Sequence, residues 1–395
     1  MVHSVRQGDH LAGSTLNSRP RIRTKRSLRA AEFFAGIGLV RLALEIQDWE
    51  VVFANDIDPD KREMYDANFN GDHFHLGDIH KLSATDIPDC ELFTASFPCN
   101  DLSIAGAWQG LEGKESSAFW GLIQILRDLG ERRPPLVMLE NVLGFLQSRG
   151  GEDFETALLA LNDVGYTVDA FILNAVHWVP QSRTRLFVVA KANAICRNRL
   201  PFAMETDSRP DTLFTFINTH QNIRWDIREL PHLPKTGFLL KDIVEDLSDD
   251  DPHWWDRERS EYFYSQLSER HLMAARLMIG QKTYQYATAF RRVRYGKSMA
   301  ELRTDGIAGC LRTPRGGSGR QILFKAGRGK YQVRLLTARE CARLQGVPDS
   351  YVINVALNQA LFGFGDAVCV PAVRWIAKHY LTPVARTLSP QGMLF

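Results

Sequence analysis

No two of the six cysteines stand close together. Cys90, Cys99, Cys196, Cys310, Cys341 and Cys369 are scattered, with no CxxC pair and no close histidine partner. That argues against a zinc site, a bound metal of any kind or a disulfide framework, and for reduced thiols in the cytoplasm. Long apolar runs are missing as well. None reaches membrane-spanning length, and the N-terminus has no apolar core like a signal peptide's, so a soluble protein without membrane contact is expected. Net charge is nearly absent, with 48 Lys and Arg against 46 Asp and Glu for a formal +2. The basic residues are unevenly placed, however, and no internal repeat organises them. What is there is an ordinary globular composition. The 395 residues are 45% apolar and 24% charged, and a chain of that length makes about two or three domains with a real core.

Residues 1–28 are polar and basic, with Arg19, Arg21, Arg23, Lys25 and Arg26 near the end. They read as a disordered tail or, more sharply, as an arm that touches phosphates. Order begins with a short strand, Leu28–Phe34, that runs into Ala35-Gly36-Ile37-Gly38. Leu39, Leu42, Ala43 and Ile46 then recur at helical spacing. Strand, glycine turn and helix make a cradle for a cofactor. The next strand, Trp49–Ala54, ends at Asn55-Asp56-Ile57-Asp58, where an acid can accept both hydroxyls of a ribose. Another acid follows in Gly77-Asp78-Ile79. A nicotinamide enzyme would show G-x-G-x-x-G, and the third glycine position holds Arg41. The pattern therefore favours a nucleoside cofactor without a pyrophosphate.

A buried strand, Glu91–Phe97, leads into Pro98-Cys99-Asn100-Asp101-Leu102-Ser103, followed by a loop through Gly106 and Gly110. The thiol would sit where a parallel strand leaves an open α/β sheet, the usual place for chemistry. A lone cysteine is more often a small buried hydrophobe. A helix over Ser117–Leu129 and a strand over Leu136–Leu139 deliver Glu140-Asn141-Val142 to the same edge, and a carboxylate ending an apolar strand must be satisfied or used. A further helix (Phe154–Val164) and strand (Tyr166–Leu173) lead to Gln181-Ser182-Arg183-Thr184-Arg185 and a last strand, Leu186–Ala190. Arg183 and Arg185 alternate on one face as that strand begins, so both could point at one anionic or carbonyl-rich ligand.

After about residue 195 the βα alternation stops. Asp246–Asp251 is an acidic run that reads as a solvated loop, while Phe290–Lys297 and Arg312–Arg320 are basic with aromatics or glycines. Such loops can approach a nucleic-acid backbone closely and offer arginine forks. A capped helix begins at Thr337, with Glu340 completing the box and Gly346 closing it. Gly363–Val368 and a helix to about Tyr380 return to the first domain.

Taken in order, Phe34–Gly38, Asp56, Gly77–Ile79, Pro98-Cys99, Glu140–Val142, Gln181–Arg185, Arg339–Gly346 and Gly365–Val368 resemble the DNA (cytosine-5) methyltransferase family, in particular its prokaryotic restriction-modification type. The match runs from Leu28 to about Tyr380. The resemblance implies an α/β fold: a Rossmann-like S-adenosylmethionine-dependent methyltransferase domain (29–195 plus 355–395) with a smaller, irregular target-recognition domain (196–354). It implies Cys99 as a nucleophile toward C6 of a flipped-out cytosine and Glu140 as the group relieving charge at N3. Arg185 would hold O2, and Arg183 would support Glu140 or the loop. Phe34, Gly36, Gly38, Asp56, Ile57, Asp78, Ile79, Pro98 and Asp366 would hold the methyl donor, with both glycines leaving room for its methionine part. Ser103, Arg292, Arg294, Arg312, Arg315 and Arg320 would face DNA.

By the same resemblance the enzyme acts as a monomer on double-stranded DNA, in the cytoplasm at the nucleoid, with a cognate restriction endonuclease encoded nearby but no stable complex. Three positions depart from the family's pattern. Asn100 stands where a glutamine is usual, Asp366 replaces an asparagine, and Cys310 precedes Leu311 where a threonine is expected. Two other readings stay open: a tRNA cytosine-5 methyltransferase, and a nucleic-acid-binding protein on the same fold without catalysis.

Overall fold

The computed structural model describes residues 27–98, 117–192, 204–294, 296–313 and 319–388. Within them the apolar runs named above form one sheet of seven strands. These are β1 (Leu28–Phe33), β2 (Trp49–Asp56), β3 (Phe74–Leu76), β4 (Leu92–Ala95), β5 (Leu136–Val142), β6 (Tyr166–Asn174) and β7 (Thr184–Ala192), in the order β3-β2-β1-β4-β5-β7-β6. β1 pairs in parallel with β2 and β4, and β4 with β5, whereas β7 runs antiparallel to both neighbours, pairing Val142 with Arg185 and Leu173 with Arg185. Strand order therefore reverses at β1 and β4, and ligands of open α/β sheets bind in the crevice at such a switch point. Because β7 is reversed, its beginning lies where β5 ends.

Helices cover both faces. α1 (Leu39–Glu45) and α2 (Pro59–Asn68) connect the first strands. α3 (Ala118–Leu129), α4 (Gly144–Gln147), α5 (Glu152–Asp163) and α6 (Asp211–Thr219) follow. Phe33, Phe53, Phe93, Val137 and Leu139 pack under α3, α5 and α6 on one side, while Ala30, Val51, Met138 and Val189 face α1 and the C-terminal helices on the other. Parallel strands buried on both faces read as continuous apolar runs, which is why their periodicity of two is faint here.

A second, antiparallel sheet is built from β8 (Gln285–Arg294), β9 (Lys297–Arg303), β10 (Ile322–Gly327) and β11 (Lys330–Leu335), in the order β11-β10-β8-β9. α7 (Arg257–Ser265) and α8 (Glu269–Ile279) close its far face through Phe263, Ala275, Ala287, Ala289 and Phe324. The 196–354 stretch also feeds the first sheet's cores. Leu213, Phe216, Ile217 and Trp225 join the α3 and α5 side, and Leu336, Cys341, Leu344 and Tyr351 join the other. α9 (Ala338–Leu344), α10 (Leu357–Asp366), α11 (Val370–Ile376) and α12 (Thr382–Leu388) complete the chain. Against the expectation that no stretch is apolar and long enough to span a bilayer, Leu357–Leu388 is. Its most apolar window is 67% buried inside the protein, where it packs as a core element.

Candidate active site

The crevice at the switch point is lined by strand ends, and each brings one of the expected groups. Past β1, Phe34 has φ 56° and Gly36 φ 55°, so the chain makes a left-handed turn that a bulky residue such as Phe34 adopts only under constraint. A Cβ on Gly36 would meet nothing nearer than Lys61 Cδ at 3.9 Å, so the space above this glycine is open. Gly38 differs. At φ 78°, its missing side chain is replaced by protein, since a Cβ there would lie 2.5 Å from Phe69 and 2.9 Å from Tyr65. The absence of a side chain at Gly38 serves packing under the turn, whereas the space above Gly36 is left open.

Asp56, 6% exposed, ends β2. One carboxylate oxygen accepts the Gly36 amide at 2.8 Å and the other the Asp58 amide at 3.0 Å. It thereby ties the glycine turn to the second strand and keeps acceptor directions for hydroxyl donors, a carboxylate having about four. Ile57 beside it is 68% exposed, an apolar surface turned to the crevice edge. Asp78 caps a short turn by accepting the His80 amide at 3.0 Å, and Ile79 is buried against α3 at Gly121. Asp366, the charge in place of an amide, is paired with Lys61 Nζ at 2.8 Å. Burial alone would lower the Lys61 pKa, but Asp366, Asp56 and Asp58 more than offset it and raise it.

At the other half of the crevice, Asn141 donates to the Phe97 carbonyl at 3.3 Å, which ties the end of β5 to the segment carrying Pro98. Glu140 is buried, and Arg185 Nε stands 3.0 Å from its Oε1. Cys99, Asn100, Ser103 and Arg315 lie outside the described residues, as does the side chain of Arg294.

Arg183 does not brace Glu140 through any hydrogen bond found among the described residues. Its guanidinium, 2% exposed, donates to the carbonyls of Leu311 (2.9 Å), Gly365 (3.2 Å), Asp366 (3.5 Å) and Ala367 (2.6 Å). The physical reason is the end of α10. The last carbonyls of a helix lack intrahelical donors, and a cation is favoured there by the helix dipole. Gln345 serves the same end, donating to Phe364 at 2.6 Å and Ala367 at 3.1 Å, and Gln181 joins it by donating to Leu344 at 2.7 Å and accepting the Leu311 amide at 2.9 Å. A buried polar knot thus links the start of β7, α9, α10 and the segment before β10.

Cys310 sits at this knot, with Sγ 3.5 Å from Arg183 and 4.0 Å from Arg185. Burial pushes its thiol pKa up, but the charges of Arg183, Arg185 and Arg312 prevail and lower it. Arg312 is exposed on the same segment, whose backbone would touch a Cβ placed on Gly365. Arg320 donates to Asn358 at 2.6 Å, while Arg292 lies over Phe290 and 3.6 Å from Glu301.

Residue types alone drew no attention to Glu32, although an acid inside an apolar strand is the signal that singled out Glu140. Glu32 is 1% exposed, neither oxygen has a hydrogen-bond partner, and burial raises its pKa to about 8. Gln181 and Gln345 sit in motifs already noted, but only the fold shows what their amides hold.

The chain's sequence matches the family model for C-5 cytosine-specific DNA methylase over residues 28–382. It is 30% identical to the Type II methyltransferase M.HhaI of Haemophilus parahaemolyticus, over 89% of this chain and 94% of that one. It is 28% identical to the Type II methyltransferase M.DsaV of Dactylococcopsis salina, over 92% and 88%. In fold it resembles the S. pombe Dnmt2 methyltransferase, with TM-score 0.60 at 21% identity over 91% of this chain and 99% of that one. An open crevice at a glycine turn, a carboxylate–arginine pair beside it and this end-to-end match lead to one conclusion: the chain belongs to the C-5 cytosine-specific DNA methylases, and it transfers methyl groups from S-adenosylmethionine to cytosine C5 in DNA.

Proposed function

We propose that Cys99, the residue after Pro98, is the nucleophile, acting on a cytosine swung out of a duplex at a specific sequence, with Glu140 and Arg185 holding the ring. The observation that carries this reading is the Glu140–Arg185 pair, 3.0 Å apart at the strand ends, with Glu140 buried and Arg185 partly so, beside the Phe97 carbonyl that Asn141 holds. Cytosine C5 is too weak a nucleophile to take a methyl group directly. Addition of the Cys99 thiolate to C6 breaks the C5–C6 π bond and leaves an enamine-like C5, provided the charge reaching N3 is relieved by a hydrogen bond or proton from Glu140. Arg185 fixes O2. S-adenosylmethionine, when bound, supplies a methyl group on a sulfonium sulfur. Loss of the C5 proton to a base then restores the π bond and expels the thiolate. Since the ring is unreachable within a duplex, unstacking precedes all of this.

Phe34, Gly36, Asp56, Ile57, Asp78, Ile79, Pro98 and Asp366 are the proposed donor-binding residues, and the openness above Gly36 supports that assignment. The second sheet with α7 and α8, together with the Arg312 segment, is the proposed recognition unit, narrower than 196–354. Arg292, Arg294, Arg312, Arg315 and Arg320 are its candidate DNA contacts, and Ser103, four residues past Cys99, is proposed to touch a phosphate near the flipped base. The protein would act as a monomer in the cytoplasm, with a cognate endonuclease encoded nearby, a reading supported by its Type II relatives.

The test is tritium transfer from S-adenosylmethionine to duplex DNA by wild type and by Cys99→Ala. Transfer by wild type alone is expected, and undiminished transfer by Cys99→Ala would remove the nucleophile from this account. Bisulfite sequencing of plasmid from expressing cells reads the target site.

A further inference from the structure

Two arginines outside the residues discussed so far share one aromatic platform. Arg291 is near the end of β8, and its guanidinium carbon lies 5.4 Å from the centre of the Trp255 ring and 5.9 Å from that of Tyr262. Arg259, in the first half of α7, lies 4.1 Å from the same Trp255 ring. No ion pair involves either among the described residues. Of the acids near Arg259, Glu261 is taken by Arg257 at 2.7 Å, and the Asp256 carboxylate caps the helix by accepting the Arg259 amide at 2.8 Å. Arg291 is only half-exposed, and its buried Nε has no hydrogen-bond partner.

Register explains how the pair arises. Ala287 and Ala289 face α7 in the recognition unit's core, so Arg291, two further along the strand, points the same way. There the core has run out and aromatic rings from the α7 side replace it. Cation–π contact offsets part of the desolvation of each arginine. It does nothing for their mutual repulsion, and burial together with the Arg259 charge lowers the Arg291 pKa. Two guanidiniums held at one ring are complementary to a tetrahedral anion, which forked donors bind well.

We propose that Arg259 and Arg291 form a phosphate clamp on the recognition unit that grips a backbone phosphate of bound DNA. The clamp sits on the α7 face of the β8–β9 hairpin, opposite the face that carries Phe290 and Arg292, so the hairpin would present cations on both sides. A backbone contact of this kind fixes register and carries no base information. The proposal rests on the protein's action on DNA, and the experiment separates the two.

Binding of a short fluorescein-labelled duplex of random sequence is followed by anisotropy over a series of salt concentrations. The full chain is compared with Arg259→Gln, with Arg259→Gln/Arg291→Gln, and with Arg257→Gln as a control on the same helix. Each phosphate contact contributes about 0.9 to the slope of log affinity against log salt, so the double variant should lose roughly one unit of slope. Affinity should fall alike for random and methylatable duplexes, while S-adenosylmethionine binding by calorimetry stays at the wild-type value and Arg257→Gln keeps the wild-type slope. Should the double variant fail to fold, Arg259→Gln, altered at an exposed side chain, carries the test alone through a partial loss of slope. A folded variant with the wild-type slope overturns the clamp and leaves the methyltransferase reading intact. A wild type that binds no DNA overturns both.

Discussion

Replacing Arg183 by methionine probes the knot that joins the two sheets. The substitution keeps much of the side-chain volume and deletes a guanidinium that is 2% exposed. The Ala367 carbonyl keeps Gln345 at 3.1 Å and the Leu311 carbonyl keeps the Cys310 thiol at 3.2 Å, but the carbonyls of Gly365 and Asp366 lose the Arg183 donor. A buried acceptor left without a partner costs about 1–3 kcal/mol. The Gly365 bond is of ordinary length and the Asp366 bond is long, which gives roughly 1–4 kcal/mol before relief is counted. Part is returned because the buried charge is gone; burial first, and then the neighbouring Arg185 charge, lower the Arg183 pKa. The net expectation is a loss of about 1–3 kcal/mol in urea unfolding, with Arg183→Lys losing roughly half as much. A second readout follows from Cys310, whose thiol pKa is held down first by Arg183 and then by Arg185 and Arg312. Its alkylation by iodoacetamide at neutral pH, read by mass spectrometry, should slow in Arg183→Met because less thiolate is present. A variant within about 0.5 kcal/mol of wild type, the range of ordinary surface changes, with an unaltered alkylation rate would refute this account of the knot.

The two glycines of the turn should separate cleanly. Gly38→Ala drives a methyl group to 2.5 Å from Phe69 at φ 78°, so a loss of about 2–4 kcal/mol is expected in urea unfolding. Gly36→Ala meets no neighbour closer than 3.9 Å. It should cost about 1–2 kcal/mol of backbone strain while weakening S-adenosylmethionine binding in calorimetry, and equal stability losses at the two positions would contradict the assignment. Glu32 has a folded pKa of about 8, raised by burial above the unfolded value. Its cost is absent below the unfolded pKa, grows as pH rises toward 8 and is complete above it. Glu32→Gln should therefore gain on wild type by roughly 1 kcal/mol per pH unit across that window in urea midpoints, and a difference independent of pH would remove the buried carboxyl as its cause. Asp56→Asn loses one of the two carboxylate oxygens that accept the Gly36 and Asp58 amides. S-adenosylmethionine affinity should drop by about tenfold, at a stability cost near 1 kcal/mol; unchanged affinity would show that the turn does not need this anchor.

Order along the chain was enough to locate the parallel core strands of the first sheet, though not β3 or the reversal of β7. The apolar runs at Leu28–Phe33, Trp49–Asp56, Leu92–Ala95 and Leu136–Val142 became its parallel strands, and each polar residue following such a run had to lie at the crevice, because chain direction leaves no other end for it. Local composition also revealed Glu140, since an ionisable group inside an apolar strand stands out without any structure. Tertiary structure alone decided what the arginines and glycines do. Arg183 and Arg185 share a strand face by periodicity, yet one caps the C-terminal end of α10 and the other pairs with Glu140. That division depends on where residues 311 and 365–367 fall, far along the chain. Gly36 and Gly38 have similar backbone angles and read alike in sequence. Only the packing of Phe69 and Tyr65 shows that one vacancy is filled by the protein and the other stays open.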